Sequence, residues 1–350
     1  MKILIILIWT WTAVTNSMMW KMMTKGLNSN FYLVITLILL LMAVATGNEN
    51  DPLIKVTFCP QYLPQAQFAG FYVAKAKGFY EKKGLDVTII DYTTGETVTK
   101  GMKENRLTFG SYFLSRAMKL RSEGMDLVNI GQISHQSALM LLTRKSANIQ
   151  SPADMNGKKM GMYLDDFNIT IKSFIKKYNL DVEVVPVFSG IQLFLAGGTD
   201  ITTVMWYNEY HTIINSGYDA DELQPFFLKD YGFDIPEDGI YCMASTREKN
   251  PVLCQNFVDA TMTGWVYAFE NPEEALAIVI EAMKNAHVPA NPAHQRWMLN
   301  TMEKIIFPSG EMTINTKLHE EDFNRTQKIL RDNNAVSNPI KYYHFYKGAK

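Results

Sequence analysis

The sequence lacks a surplus of either charge and contains few cysteines. Among its 350 residues, 34 Lys and Arg stand against 35 Asp and Glu, which gives a formal net charge of -1. Neutralising nucleic-acid phosphates requires an excess of basic residues, so no nucleic acid is expected as a partner. The cysteines Cys59, Cys242 and Cys254 form no CxxC pair. Their odd number and wide spacing argue against a disulfide framework and against cysteine or zinc chemistry.

The common signatures of catalysis and nucleotide binding are also missing. No GxxxxGK[ST], GxGxxG, HExxH or GxSxG motif occurs, and the six histidines are scattered. This excludes the usual phosphate-loop, dinucleotide, zinc-protease and serine-nucleophile sites. No metal ligand set and no cofactor is therefore expected. With 47% hydrophobic residues, the chain is long enough to bury two cores.

The N-terminal region predicts export. Phe31–Ala45 is an uncharged apolar run preceded by Lys21 and Lys25, and it ends in an A-x-A pattern before a polar stretch. This order is typical of a secretory signal peptide with cleavage after Ala45. The alternative is a retained membrane anchor, although a bilayer span needs about twenty residues. Residues 1–30 hold a second apolar run and are interpreted as a doubtful N-terminal extension, with translation starting at a later methionine.

The mature chain alternates short β-type runs with amphipathic helical stretches up to about residue 245 and then becomes mainly helical. Such alternation predicts parallel sheets covered by helices. Two crossings between lobes are predicted, near Arg144–Ser151 and near Ile240–Ser245. Lobe 1 would then comprise 51–144 plus 244–350, and lobe 2 would comprise 145–243. A ligand cleft is expected between the lobes, because ligands of open α/β sheets lie beyond the carboxyl ends of strands.

The segment Pro60–Tyr80 follows the first predicted strand and reads PQYLPQAQFAGFYVAKAKGFY. Aromatic rings can stack on flat ligands, and amides can pair with ring nitrogens and exocyclic groups. Tyr62, Gln65 and Gln67 are therefore predicted to line the cleft. The small residues at Ala69 and Gly70 would let the backbone approach a ligand.

This segment resembles the opening of the NMT1/THI5-like (SsuA/THI5) family of periplasmic solute-binding proteins, of the type that binds thiamin-pyrimidine precursors. The resemblance continues in order along the mature chain, through LTFGS (107–111), SPADMNGKK (151–159), MWYNEY (205–210), PEDGIY (236–241) and NPEEA (271–275).

The resemblance implies a type II periplasmic-binding fold, with two α/β lobes, a hinge and a ligand cleft. Carried over position by position, it adds to the loop residues a set of cleft residues that follow strands or lie near the hinge, namely Gly110, Ser111, Trp206, Asn208, Glu209, Asp238 and Tyr241. Glu209 would pair with the amidine-like edge of an aminopyrimidine.

The related pyrimidine-forming enzymes differ from this chain at two features. They have Asn-His-Ala-Gly where this chain has Gln67-Phe68-Ala69-Gly70, and their cysteine-rich, iron-associated motif has no counterpart here. The resemblance therefore implies a non-enzymatic, periplasmic, free or membrane-tethered component of an ABC importer, with permease and ATPase subunits as partners and an aminopyrimidine-like ligand. A pyrimidine synthase using pyridoxal phosphate or iron, a sensory module, and riboflavin-like or sulfonate-like ligands are the alternatives.

Overall fold

The computed structural model of the protein describes residues 52–92, 97–164, 167–188 and 191–348. The predicted signal peptide, its cleavage site and the N-terminal extension lie outside these residues. Within the described part of the chain, no helix has both the length and the apolar character needed to cross a membrane.

Within the described ranges, ten strands form two five-stranded sheets. The strands are β1 (Ile54–Cys59), β2 (Leu85–Ile89), β3 (Phe109–Phe113), β4 (Leu127–Gln132), β5 (Leu139–Arg144), β6 (Lys159–Tyr163), β7 (Glu183–Val187), β8 (Ile201–Met205), β9 (Leu223–Phe227) and β10 (Asp238–Met243). Their spatial orders are β2-β1-β3-β10-β4 and β7-β6-β8-β5-β9. The edge strand β4 and the interior strands β5 and β8 are buried along almost their whole length, and β5 accordingly begins with the continuous apolar run LMLL.

Twelve helices cover the sheets in the described residues. They are α1 (Ala69–Ala76), α2 (Val98–Lys103), α3 (Leu114–Ser122), α4 (Asn168–Tyr178), α5 (Gln192–Leu195), α6 (Glu209–Asn215), α7 (Ala244–Lys249), α8 (Pro251–Glu270), α9 (Pro272–Asn285), α10 (Pro292–Ile306), α11 (Glu320–Asp332) and α12 (Tyr342–Phe345). The three long helices α8, α9 and α10 each begin at a proline that follows an asparagine. Proline is favoured at the first helical position because its missing N–H would have no partner there.

The chain passes between the sheets twice, after β4 and after β9, so β5 is the first strand to enter the second sheet and β10 returns to the first. Those two strands, β5 and β10, are antiparallel to both of their neighbours, whereas β1–β2, β1–β3, β6–β7 and β6–β8 pair in parallel. We call the sheet containing β1 and its helices lobe 1, and the sheet containing β6 and its helices lobe 2. The expected all-parallel sheets are therefore mixed.

The crossings lie one strand earlier than the sequence boundaries after residues 144 and 243. β5, assigned from sequence to lobe 1, pairs in the sheet of lobe 2, and β10, assigned to lobe 2, pairs in the sheet of lobe 1. The first true crossing, residues 133–138, contains no Gly or Pro and is largely buried. It therefore resembles a continuation of the β-type runs around it, whereas the polar turn after Arg144 resembles a boundary.

Helices α1 and α8 cross at very short range in lobe 1. A Cβ atom on Gly264 would lie 2.1 Å from the carbonyl oxygen of Gly70, and a Cβ on Gly70 would lie 2.4 Å from the Trp265 ring. Trp265 is only 1% exposed. Gly70, predicted to let the backbone approach a ligand, instead lets two helices approach each other.

Replacing Gly264 by alanine is expected to lower the free energy of unfolding by about 1–3 kcal/mol, because the added methyl group overpacks the helix crossing. Urea unfolding followed by circular dichroism measures this change. The matched control is Thr263→Ala, one residue away on the exposed face of α8, which should change stability by less than about 0.5 kcal/mol. Equal effects of the two substitutions would contradict the close crossing.

Candidate functional site

The carboxyl ends of the parallel strands in both lobes point toward the two crossing segments. β5 starts at a crossing and runs antiparallel to β8, so β8 and its parallel neighbour β6 must end there. By the same reasoning β3, which is antiparallel to β10, ends at the crossings from the side of lobe 1. Ligands of open α/β sheets bind beyond strand carboxyl ends. This places the candidate site between the lobes, with the crossing segments as its floor.

Asp238 is the central charged group of this floor. It is the first residue of β10 and is 3% exposed. Its Oδ2 accepts a hydrogen bond of 3.0 Å from the Gln67 amide, and its Oδ1 accepts one from the Gln61 amide. Burial raises the pKa of Asp238 to about 7, and the two amide donors act in the opposite direction. The carboxyl group is therefore balanced between its charged and neutral forms near neutral pH.

The loop after β1 provides a chain of amides that leads to Asp238. Gln65 Nε2 donates to Gln67 Oε1 at 2.7 Å, which leaves the Gln67 amide nitrogen for the aspartate. Gln61 is fixed at both ends, since its Oε1 accepts the Phe113 N–H at 2.8 Å. The predicted residues Gln65 and Gln67 thus lie in the site, and the structure adds Gln61.

Tyr62 lies at the rim of the site. Its side chain is 42% exposed and stacks on Tyr92, with ring centroids 6.1 Å apart. Both rings line a groove of about 940 Å³ that opens between lobe 1 and the Leu164 and Asn168 side of lobe 2. A flat ligand entering the cleft would pass this aromatic pair.

Gly110 and Ser111 lie inside β3, whereas the sequence-based interpretation put them after a strand. A Cβ atom on Gly110 would lie 2.1 Å from Val98 Cγ1, so this residue faces α2 and the core. Ser111 is fully buried, and its Oγ accepts the Gln61 N–H at 2.9 Å. Ser111 therefore positions the loop after β1, and Gly110 is directed away from the cleft.

Tyr241 is also directed away from the cleft. It is completely buried on β10. Its ring packs edge-on against Tyr112, with ring centroids 5.7 Å apart, and lies against Phe345. Successive strand residues point to opposite faces of a sheet, and Tyr241 faces the outer core of lobe 1. Its assignment to the cleft is corrected.

In the turn after β8, the inward position belongs to Tyr207, which the sequence interpretation missed. The predicted residue Trp206 packs edge-on against Phe227, with ring centroids 5.4 Å apart, and its ring lies beneath the Lys304 ammonium group. Tyr207 is 3% exposed. Burial, followed by the negative charges of Glu237 and other floor carboxylates, raises the pKa of its hydroxyl well above the usual value. Its position inside MWYNEY was the available signal.

Glu209 directs its carboxylate toward its own turn. Oε2 accepts the Met205 N–H and Oε1 accepts the Asn208 amide, each at 3.0 Å. This arrangement holds the β8–α6 turn in shape and places a negative charge at the start of α6, where it is favourable. The contact with a ligand predicted from sequence is thus accompanied by a structural role.

Asn208 belongs to a bridge between the lobes. Its Oδ1 bonds with His294 Nε2 of α10 at 3.1 Å, and His294 Nδ1 lies 3.0 Å from His211 Nδ1 of α6. The His211 ring stacks on Trp297 with centroids 4.8 Å apart, and the Trp297 indole N–H donates to the Trp206 carbonyl. A second contact between the lobes joins Phe113 at the end of β3 to Phe167, with ring centroids 4.6 Å apart. The lobes therefore contact each other at two places.

Within the described ranges, no group of three or more His, Cys, Asp or Glu side chains could hold a metal ion. Phe68, which the resemblance in sequence sets opposite a histidine of pyrimidine-forming enzymes, is 1% exposed in the core.

The curated relatives of this chain include both binding proteins and enzymes. The riboflavin-binding protein RibY of Chloroflexus aurantiacus is 23% identical over 320 residues, covering 85% of this chain and 86% of the relative. A formylaminopyrimidine-binding protein of Halalkalibacterium halodurans is 23% identical, covering 79% and 87%. A 4-amino-5-hydroxymethyl-2-methylpyrimidine phosphate synthase of Legionella pneumophila is 21% identical, covering 78% and 90%.

Solved structures share the two-lobed fold at low sequence identity. The periplasmic aliphatic sulphonate binding protein of Escherichia coli superposes with a TM-score of 0.65 at 13% identity, covering 83% of this chain and 91% of that one. The family model described as NMT1/THI5 like matches residues 65–275, more than half of the sequence. The expected fold is confirmed, and the chain belongs to the NMT1/THI5-like family.

Proposed function

We propose that the protein is the extracytoplasmic solute-binding component of an ABC importer and that its cleft holds a small aminopyrimidine-like heterocycle. The observation that carries this proposal is the buried Asp238, held by two glutamine amides at the floor of an interlobe cleft. A buried carboxyl group with acceptor capacity is suited to the N–H donors of an amino-heterocycle. The formylaminopyrimidine-binding relative supports this ligand class.

Binding is favoured over synthesis by the residue at position 68. A core phenylalanine cannot transfer a proton, and it takes the place of the histidine found in the pyrimidine-forming relatives. The lobes also contact each other directly, through Asn208 and His294 and through Phe113 and Phe167, as expected for a clamshell that closes by hinge motion. Delivery to a permease and ATPase requires such closure and no covalent chemistry.

Calorimetry of the mature protein against a panel tests the ligand class. We expect tight binding of a formylaminopyrimidine or of 4-amino-5-hydroxymethyl-2-methylpyrimidine, with a rise in melting temperature, because a ligand that binds only the folded state stabilises it. Riboflavin and alkanesulfonates serve as the comparison ligands. Preferential binding of either comparison ligand would overturn the aminopyrimidine assignment, and copurified pyridoxal phosphate or iron seen by native mass spectrometry would support the synthase alternative.

The histidine bridge predicts that closure weakens in acid. Burial lowers the pKa of His211 and of His294 from the ordinary 6.5, and in His294 the charge of His211 lowers it further. If closure lowers the pKa of a histidine, protonation of that histidine favours the open form. The closed form is therefore favoured while the histidine is neutral. The stabilisation is therefore present above about pH 6.5 and is lost as the pH falls, when two cations would face each other.

Small-angle scattering of the ligand-free protein should show a larger radius of gyration at pH 5.5 than at pH 7.5. Replacing His294 by alanine should increase the radius at pH 7.5 and reduce its change with pH. Ligand affinity of this variant should fall about tenfold, the effect of ~1.4 kcal/mol lost from the closed state. His344→Ala, an exposed histidine elsewhere, is the control. A radius independent of pH in the unmodified protein would refute the bridge as a titrating contact.

A further inference from the structure

A second buried carboxyl group, Glu237, lies beside Asp238 on the floor of the cleft. Glu237 is 3% exposed and is the last residue of the segment that returns to lobe 1. Its Oε1 accepts the Ala138 N–H at 2.6 Å and the Ser137 hydroxyl at 3.2 Å, both from the other crossing segment. Its Oε2 is buried and has no hydrogen-bond partner among the described residues. A buried acceptor left unpaired costs roughly 1–3 kcal/mol and calls for an explanation.

No positive side chain among the described residues pairs with Glu237 or Asp238. The donors to these carboxyl groups are backbone N–H, hydroxyl and amide groups. Positive groups near the return crossing have other partners, since Arg325 binds the Asp234 carbonyl and Asp322, and the Lys229 ammonium group binds the Gln136 side chain.

The carboxyl groups converge on one inward-facing ring. The charges of Glu237, Asp238 and Glu209 all act on the Tyr207 hydroxyl and, after burial itself, raise its pKa. Glu237 and Asp238 come from the floor, whereas Tyr207 and Glu209 come from the turn after β8. The residues around the interior of the cleft therefore bring several acceptor oxygens together. Burial raises the pKa of Glu237 well above its usual value and that of Asp238 to about 7, and N–H donors from a ligand would favour the ionised forms of both carboxyl groups.

The geometry points to Glu237 as a specificity-determining residue whose unpaired Oε2, together with Asp238, receives adjacent N–H donors of a neutral or protonated amino-heterocycle. This inference rests on the proposed solute-binding function and names the ligand's recognised edge. A ring nitrogen that carries a proton beside an exocyclic amino group presents two parallel donors, the pattern that a carboxylate accepts in a bidentate manner.

The same arrangement selects against anions. A sulfonate, phosphate or carboxylate would bring a further negative charge into a buried region that already holds carboxyl groups. In such a low-dielectric region, like charges interact much more strongly than in water. The unpaired acceptor of Glu237 would then receive no N–H donor, and the anion would find no positive charge. This protein should therefore reject the sulfonates that its structural neighbours bind.

Two ligands and one isosteric substitution test the assignment. The ligands are 4-amino-5-hydroxymethyl-2-methylpyrimidine and its 4-oxo analogue, in which the amino donor is replaced by an acceptor. Glu237→Gln keeps the side-chain volume and an acceptor for the Ala138 N–H, but it replaces the second oxygen by an NH₂ group, which donates and cannot accept. We expect the unmodified protein to prefer the amino compound by about 100-fold, and the variant to bind that compound about 30-fold more weakly with most of the preference lost.

The control is Asp230→Asn, which neutralises an exposed carboxylate on the same return segment and should leave both affinities within about twofold. Melting temperature separates recognition from a purely structural role. Burial raises the pKa of Glu237 well above its usual value, so exchanging its carboxyl group for an amide should leave the stability of Glu237→Gln unchanged or higher, whereas a structural role predicts a lower melting temperature at unchanged ligand preference.

The outcomes distinguish this inference from the proposed function. Tight binding of the amino compound with an intact preference in Glu237→Gln would overturn the role of Glu237 and leave the solute-binding function standing. Tight binding of an alkanesulfonate by the unmodified protein, with neither pyrimidine bound, would overturn both the aminopyrimidine assignment and the acidic recognition floor.

Discussion

The hydrogen bonds between the two crossing segments are the constraint on which the cleft depends. The Asp238 carbonyl accepts N–H groups from Ile133 and Ser134, and the Glu237 carboxyl group accepts the Ala138 N–H. These bonds join the outgoing and returning chains side by side, and β5 and β10 diverge from them into opposite lobes. Because those strands are antiparallel to their neighbours, the carboxyl ends of the other strands must face the join. The hinge and the floor of the site are thus built from the same residues.

Much of this arrangement could be predicted from the order of elements in the sequence. The strand–helix alternation indicated two α/β lobes, and the position of Gln65 and Gln67 directly after β1 indicated the cleft. Asp238 could be placed near a hinge by resemblance. The prediction of two α/β lobes is confirmed. The placement of these side chains in a ligand cleft stays a prediction, which depends on sequence order and on the carboxyl-end rule.

The residues whose positions could not be predicted from the sequence depend on which face of a strand they occupy and on contacts between distant parts of the chain. In a strand or an extended turn, a shift of one residue reverses the face on which a side chain lies. Tyr207 lies inside where Trp206 was expected, and Tyr241 faces the outer core although Asp238, three residues earlier, faces the cleft. Gly70 belongs to a helix crossing whose partner, Gly264, is almost two hundred residues away. Local sequence carries no information about such a partner.

The charge of the floor shows why composition and fold could not indicate the ligand class. The whole chain is nearly neutral, yet burial gives a few carboxyl groups an influence that no count of residues reveals. The amides of Gln61 and Gln67 donate to Asp238 and reduce the cost of burying it, but burial still raises its pKa to about 7, so the carboxyl group is only partly ionised near neutral pH. The nearby Glu237 adds an acceptor that the protein itself does not satisfy. A ligand bearing N–H donors can meet both requirements at once, and this requirement comes from side chains that the shared two-lobed fold does not dictate.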